Sequence, residues 1–140
     1  MKIRKAKEKD IKYCVELSRI NELQLDTRKY PDKKYFKEFL GPLFIVAEDK
    51  GNILGYVLGE KEKAGLSSLN LMAVQKNLRS KGIGKLLLEK FCENSKKLGL
   101  KEVYLFAPKW NKKTLNFYEK NGFIKMKHYV YFIKDLLLQE

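Results

Sequence analysis

Six consecutive residues, Arg79-Ser80-Lys81-Gly82-Ile83-Gly84, combine cationic side chains with glycines. A short apolar run ending at Val74 precedes them, and apolar residues recur at helical spacing after them. The first N–H groups of a helix lack partners within it, and the aligned peptide dipoles place partial positive charge there. Glycine also lets a ligand approach the backbone closely. These features predict a phosphate-binding turn that leaves a strand and begins a helix.

Two common nucleotide-binding motifs are excluded at this turn. A dinucleotide-binding loop needs a third glycine where this chain has Leu87. A nucleoside-triphosphate loop ends in Gly-Lys-Ser/Thr, whereas this chain continues as Gly84-Lys85-Leu86. An ordinary basic turn that contains glycine is the alternative interpretation. The glycine pair alone therefore does not identify the ligand.

The elements around this turn alternate between strands and helices. Strands are predicted over residues 1–6, 43–48, 53–59, 67–74, 103–107, 123–127 and 129–133. Helices are predicted to begin near Asp10, Pro31, Gly82 and Asn111. Gly99 and Gly122 suit the ends of the last two helices. This order predicts a mixed α/β (α+β) fold in a single domain, residues 1–140.

The chain is strongly basic, with 30 Lys and Arg residues against 17 Asp and Glu and a net charge of +13. Such a charge favours polyanionic ligands and disfavours polycationic substrates. Lysines are scattered over every predicted element without a dense tract, which argues against a nucleic-acid-binding module. Charges interrupt every apolar run and no apolar signal core follows the N-terminus, so we expect a cytoplasmic protein without a membrane span.

Residues that commonly bind metals are scarce. Cys14 and Cys92 are the only cysteines, and His128 is the only histidine. A disulfide framework and a Cys/His metal site are therefore not expected. Both cysteines fall on the apolar side of a predicted helix, and we interpret them as packing residues.

Two motifs, in order, resemble those of the GNAT superfamily of N-acetyltransferases. Arg79-x-x-Gly82-x-Gly84, five residues after Val74, resembles the coenzyme-A signature of that family. Downstream, the run from Asn111 to Phe123 (NKKTLNFYEKNGF) resembles its second motif, although Thr114 stands where the family usually has alanine. The resemblance implies a central, mostly antiparallel sheet of about six to seven strands. The sheet would be splayed at the cofactor slot and flanked by four helices.

The resemblance also implies where acetyl-CoA binds. Main-chain groups of the strand before the turn would bind the pantetheine arm as an added strand would. Backbone N–H groups of the turn would hold the pyrophosphate, and Asn111 would contact the pantetheine region while capping its helix. The implied cofactor-binding residues are Met72, Ala73, Val74, Arg79, Ser80, Lys81, Gly82, Ile83, Gly84, Lys85 and Asn111.

The implied reaction is direct transfer of acetyl from the thioester to a primary amine of a small molecule or peptide, without a metal. A strand amide near Met72 to Val74 would hold the oxyanion. Tyr118 is the implied catalytic residue, since a tyrosine with a pKa near ~10 stays protonated at neutral pH and can donate to the departing thiolate. Simple packing of Tyr118 on its helix is the alternative.

The general base is not assigned by the sequence. Histone-type members of the family carry a glutamate where this chain has Ser68, and α-amine acetylators often carry one where it has Phe106. Both departures disfavour those substrate classes. Glu60 and Glu62 could act through water, but surface charge is the favoured interpretation of each. Trp110 with Tyr104 and Phe106 could wall an acceptor pocket, with core packing as the alternative.

Other functions and assemblies stay open. A family member that binds coenzyme A as a sensor, without turnover, is one alternative. A module that binds nucleic acid or an acidic partner is another, and a homodimer is compatible with either. Tyr30 and Tyr35, near the connection between the first two helices, are placed where the family often closes over its acceptor.

Overall fold

The structure is a computed structural model that describes residues 1–20 and 31–137. The predicted link at 21–29 and Tyr30 lie outside the described residues. The chain divides into two compact units, Met1–Phe106 and Ala107–Glu140.

The first unit contains a five-stranded sheet and three helices. Their bounds are β1 Lys2–Lys5, α1 Ile11–Ile20, α2 Lys33–Glu38, β2 Phe44–Asp49, β3 Asn52–Lys61, β4 Leu66–Val74, α3 Ile83–Lys97 and β5 Glu102–Tyr104. The strands lie in the order β1-β2-β3-β4-β5. Neighbours are antiparallel except for β4 and β5, which are parallel. The second unit contains the helix α4, Lys112–Lys120. The predicted mixed α/β fold with four helices is confirmed.

The two strands predicted over residues 123–127 and 129–133 are wrong. In the described part of the second unit no residue is assigned to a strand, so the sheet has five strands rather than six to seven. Val130 and Phe132 are 76% and 87% exposed. Alternating apolar residues make a segment suitable for a strand, but a strand also needs a partner backbone, which the alternation does not specify.

The sheet carries helices on both faces, and β3 contributes to each. Tyr56 and Leu58 belong to a buried apolar cluster with α1 and α2, and Cys14 is fully buried there, which confirms its packing interpretation. Gly55 and Gly59 face α3 on the other side. A Cβ on Gly59 would lie 2.6 Å from the ring of Phe91, so only glycine lets α3 approach β3 this closely.

Strands β4 and β5 separate shortly after they begin to pair. Their parallel ladder joins Leu66–Ser68 to Glu102–Tyr104 and then ends. On the other side of β4, the register with β3 shifts between Leu58 and Gly59, and Asn70 is the extra residue of this bulge. β5 is therefore shorter than predicted, and the sheet is splayed beyond Ser68 as the resemblance implied.

Buried ionic contacts fix the start of α1. The Arg4 guanidinium donates to both carboxylate oxygens of Asp10, at 2.8 and 2.9 Å, and also to Glu48. The Lys7 N–H donates to Asp10 at 2.7 Å. Burial alone would raise the pKa of Asp10, but these hydrogen bonds outweigh it and hold the pKa below its usual value.

Candidate functional site

The glycine-containing turn joins the end of β4 to the start of α3, as predicted. A short 3₁₀ turn over Lys76–Leu78 follows β4, and α3 begins after Gly82. Ser80 and Gly82 both have left-handed backbone conformations, with φ of 70° and 85°. Apart from Gly82 and its two chain neighbours, no described residue has an atom within 4 Å of where a Cβ on Gly82 would be, so the backbone is open to a ligand there.

The start of α3 presents backbone donors without acceptors. The first hydrogen bond into the helix runs from Leu86 N–H to Gly82 O, at 3.1 Å. No group among the described residues accepts from the N–H groups of Ile83, Gly84 or Lys85, and no side chain caps the helix. The helix dipole adds partial positive charge at this end of a 15-residue helix. Phosphate oxygens fit these donors.

The cationic side chains of the turn differ in what they contact. Arg79 Nε donates to Val74 O at 3.3 Å, so its side chain ties the turn back to the end of β4. Lys85 Nζ lies 3.9 Å from Glu89 Oε1, one helical turn further on. Ser80 and Lys81 are exposed. The sequence did not predict the contact of Arg79, because its residue pattern carries no information on side-chain direction.

Met72, Ala73 and Val74 form the last residues of β4, immediately before the turn. They pair with β3, where Ala73 is opposite Tyr56. The strand end is fixed by Gln75, whose backbone N–H donates to Leu54 O at 2.9 Å and whose side chain donates to Ile53 O at 2.8 Å. The structure thus brings together, within the first unit, every predicted cofactor-binding residue except Asn111.

Asn111 and Tyr118 belong to the second unit. Asn111 Oδ1 accepts from the Thr114 N–H at 3.2 Å, which confirms that Asn111 caps α4. The Tyr118 ring packs edge-on against Phe117 and Phe123, with centroids 5.2 and 5.4 Å apart. Burial raises the pKa of Tyr118 to about 12, so its hydroxyl keeps its proton at neutral pH. Its role as proton donor stays a prediction.

A phenol–carboxylate pair lies where β4 and β5 separate. The Tyr104 hydroxyl donates to both carboxylate oxygens of Glu62, at 2.7 and 2.8 Å. This bond is the main cause of the raised pKa of Tyr104. Glu62 is half-buried and has a partner that the sequence did not predict, whereas Glu60 is exposed. Phe106 is 73% exposed, so its core-packing interpretation is wrong.

No group of three or more His, Cys, Asp and Glu side chains in residues 1–20 and 31–137 could hold a metal ion. No helix in that part of the chain is long and apolar enough to cross a membrane.

The family comparison matches most of the chain. The model of the acetyltransferase (GNAT) family matches residues 11–123, which include parts of both units. A comparison with curated proteins finds no significant match.

Solved structures share the fold at low sequence identity. Ard1 from Thermoplasma volcanium is 22% identical with a TM-score of 0.78, over 90% of this chain and 84% of that one. The aminoglycoside acetyltransferase meta-AAC0020 from an uncultured soil metagenomic sample is 24% identical, with a TM-score of 0.74 over 96% and 95%. Rv2747 from Mycobacterium tuberculosis, solved in complex with CoA, is 18% identical, with a TM-score of 0.75 over 91% and 74%.

Proposed function

We propose that this chain, which belongs to the GNAT acetyltransferase family, transfers acetyl from acetyl-CoA to the primary amine of a small molecule or peptide. The observation that carries the proposal is the start of α3. There, Gly82 is left-handed and open, and no described acceptor binds the N–H groups of the next three residues. The family match over residues 11–123 also supports one acetyltransferase domain for residues 1–140.

Acetyl-CoA fits the residues present at this turn. Its pyrophosphate needs several donors on one side and no carboxylate nearby, and the exposed turn from Arg79 to Gly82 carries only cationic or neutral side chains. Met72 to Val74 precede the turn at the end of β4, in the part of that strand that no longer pairs with β5. These features support a pantetheine arm running along β4 from the turn. When bound, acetyl-CoA supplies an activated thioester.

The chain's own groups then have three tasks. The N–H groups at the start of α3 orient the pyrophosphate, and thereby fix the position of the distant acetyl group. A backbone N–H near Met72 to Val74 donates to the carbonyl oxygen as negative charge develops on it. Tyr118 gives a proton to the departing thiolate, and the pKa of about 12 supports this role because the phenol is protonated at neutral pH.

The acceptor is an amine, and individual residues of this chain narrow its class further than the family does. Ser68 and Phe106 stand where histone-type and α-amine acetylators carry glutamate, which disfavours those two classes. The aminoglycoside acetyltransferase among the solved structures makes aminoglycosides a reasonable part of any amine panel. Short peptides with a free lysine and simple monoamines complete it, and the net charge of +13 disfavours the polycationic members of this panel.

The proposal is tested by release of coenzyme-A thiol from acetyl-CoA in the presence of each amine, with mass spectrometry of the acceptor. We expect thiol release that depends on one amine class, and an acetyl group on that acceptor. Binding of acetyl-CoA without amine-dependent thiol release would instead support the sensor. Failure of acetyl-CoA to bind at millimolar concentration would reject both.

A further inference from the structure

We infer that Glu62 is the general base of the transfer reaction and that Tyr104 relays the proton from the acceptor amine to it. The inference rests on the proposed function, because it assigns a role within that reaction. It concerns residues of the first unit only, and it assigns to Glu62 the role of base that the sequence left open against a surface charge.

Hydrogen bonds of both its side chain and its backbone fix the position of Glu62 relative to Tyr104. Both carboxylate oxygens of Glu62 accept from the Tyr104 hydroxyl, at 2.7 and 2.8 Å, so the carboxylate is directed at a single donor. The Glu62 backbone is anchored as well, because its N–H donates to Leu66 O at 2.8 Å. A proton-transfer partner must lie within hydrogen-bond reach, and this one does.

A small residue allows the two side chains to meet. Glu62 follows β3 and Tyr104 belongs to β5, so β4 runs between them. The register places Ser68 beside Tyr104 on one side and beside Glu60 on the other. Ser68 is 5% exposed, and its hydroxyl donates to Asn70 Oδ1 at 2.9 Å. The side chains of Tyr104 and Glu62 thus reach each other across β4 over a short serine.

The pair lies further back along β4 than the segment proposed to hold the thioester carbonyl, in the direction in which the cofactor arm runs. Ser68 and Tyr104 are the last pair of the β4–β5 ladder, so they mark the closed end of the splay. Met72, the nearer end of the strand segment proposed to hold the oxyanion, is four residues from Ser68, or about 13 Å along β4. An arm that starts at the turn and runs back along β4 brings its sulfur end towards this pair.

The surrounding charges favour a base. Among the described residues no Lys or Arg forms an ion pair with Glu62, so no fixed cation competes for its carboxylate. Besides Glu62, the groups acting on Tyr104 are Glu60, which raises its pKa further, and the Ser68 hydroxyl, which opposes that shift. Tyr35 of α2 also lies near Glu60. Burial raises the pKa of Tyr35, and the Glu60 carboxylate raises it further.

Every proton in the proposed step is accounted for. The acceptor ammonium gives one proton to the Tyr104 oxygen while the phenolic proton passes to Glu62, which leaves a neutral phenol, a neutral carboxylic acid and a free amine. The amine lone pair forms the N–C bond and the C–S bond breaks. The thiolate takes up the proton that the amide nitrogen loses. Glu62 finally releases its proton to solvent.

Three variants test this assignment. Glu62→Gln keeps an oxygen that can accept from Tyr104 but cannot take up the proton, and Tyr104→Phe removes the relay. Glu102→Gln, at an exposed carboxylate on β5 two residues before Tyr104, is the matched control. Each is measured for kcat and KM across pH, and for thermal protection by acetyl-CoA, which reports folding and cofactor binding without chemistry.

We expect Glu62→Gln to lower kcat by about 100-fold at neutral pH, with protection by acetyl-CoA unchanged. The deficit should shrink as the pH approaches the pKa of the acceptor amine, because the amine then arrives already deprotonated. Tyr104→Phe should show the same pH trend, and Glu102→Gln should stay within about threefold of wild type.

Two results would overturn the inference while leaving the proposed function intact. One is a wild-type kcat for Glu62→Gln at neutral pH. The other is an equal loss at every pH, which would indicate a structural role. Absence of amine-dependent thiol release from the wild type is a different outcome, since it would reject the proposed function itself and this inference with it. If Glu62→Gln fails to fold, Tyr104→Phe decides by the same criteria.

Discussion

The carbonyl oxygen of Ser68 lies 1.9 Å from the point that a Cβ on Gly59 would occupy. The extra residue Asn70 in β4 brings the two backbones into this relationship, and the Phe91 ring closes the site from α3, at 2.6 Å from the same point. Gly59 therefore permits the bulge beside which β4 and β5 separate.

We expect Gly59→Ala to lower the free energy of unfolding by about 3 kcal/mol, because the methyl group must displace backbone rather than a flexible side chain. The control is Gly51→Ala in the hairpin turn, where nothing lies within 4 Å and only the φ of 82° is unfavourable. That control should cost about 1 kcal/mol. Urea unfolding of both variants gives the comparison, and equal costs would contradict the packing argument.

The Arg4–Asp10 contact predicts a pH dependence of stability. The pKa of Asp10 is lower in the folded chain than its unfolded value of about 3.9. A carboxyl of this kind stabilises the fold above its unfolded pKa, and that contribution is lost as the pH falls through its folded pKa. We therefore expect stability to decrease below about pH 4.

Asp10→Asn should cost about 3 kcal/mol at pH 7, since it leaves the Arg4 guanidinium without its buried partner. It should also flatten the acid limb of stability against pH. Asp49→Asn, which removes only a half-exposed contact with the N-terminal amine, is the control and should cost about 0.5 kcal/mol. An unchanged acid limb in Asp10→Asn would show that other carboxylates control it.

Tyr118 carries a prediction for turnover. Tyr118→Phe should keep the packing against Phe117 and Phe123 and lower kcat by about 100-fold, with KM for acetyl-CoA unchanged. Because the pKa of Tyr118 is raised to about 12, wild-type kcat should show no loss from its ionisation below about pH 11. Tyr129→Phe, at a tyrosine that is 73% exposed, is the control. Wild-type kcat in Tyr118→Phe would leave Tyr118 a packing residue.

Local signals in the sequence predicted the helix boundaries and the glycine turn. Asn111 accepts from the Thr114 N–H, and Gly99 and Gly122 adopt the left-handed conformation expected just beyond helix ends. Gly82 likewise precedes α3 with positive φ. Such signals need only a few neighbouring residues, which is why the sequence contains them.

Features that depend on distant parts of the chain could not be predicted. Glu62 and Tyr104 are 42 residues apart, and their contact follows from strand order and from the register around Ser68. The apolar alternation over 123–133 predicted strands because it contains no information about which backbone would pair with them. Periodicity indicates what a segment can form, whereas pairing depends on the rest of the chain.

Gly82 and Gly99 provide the most direct test of the cofactor site, because they occupy opposite ends of α3 with similar φ, 85° and 81°, and equally open surroundings. Replacing either with glutamate has the same backbone cost, but only Gly82→Glu places a carboxylate beside the proposed pyrophosphate site. The measurement is the shift in melting temperature caused by millimolar acetyl-CoA. We predict a shift of several degrees for the wild type and Gly99→Glu, and none for Gly82→Glu. An equal shift in both variants would contradict a cofactor site at the start of α3.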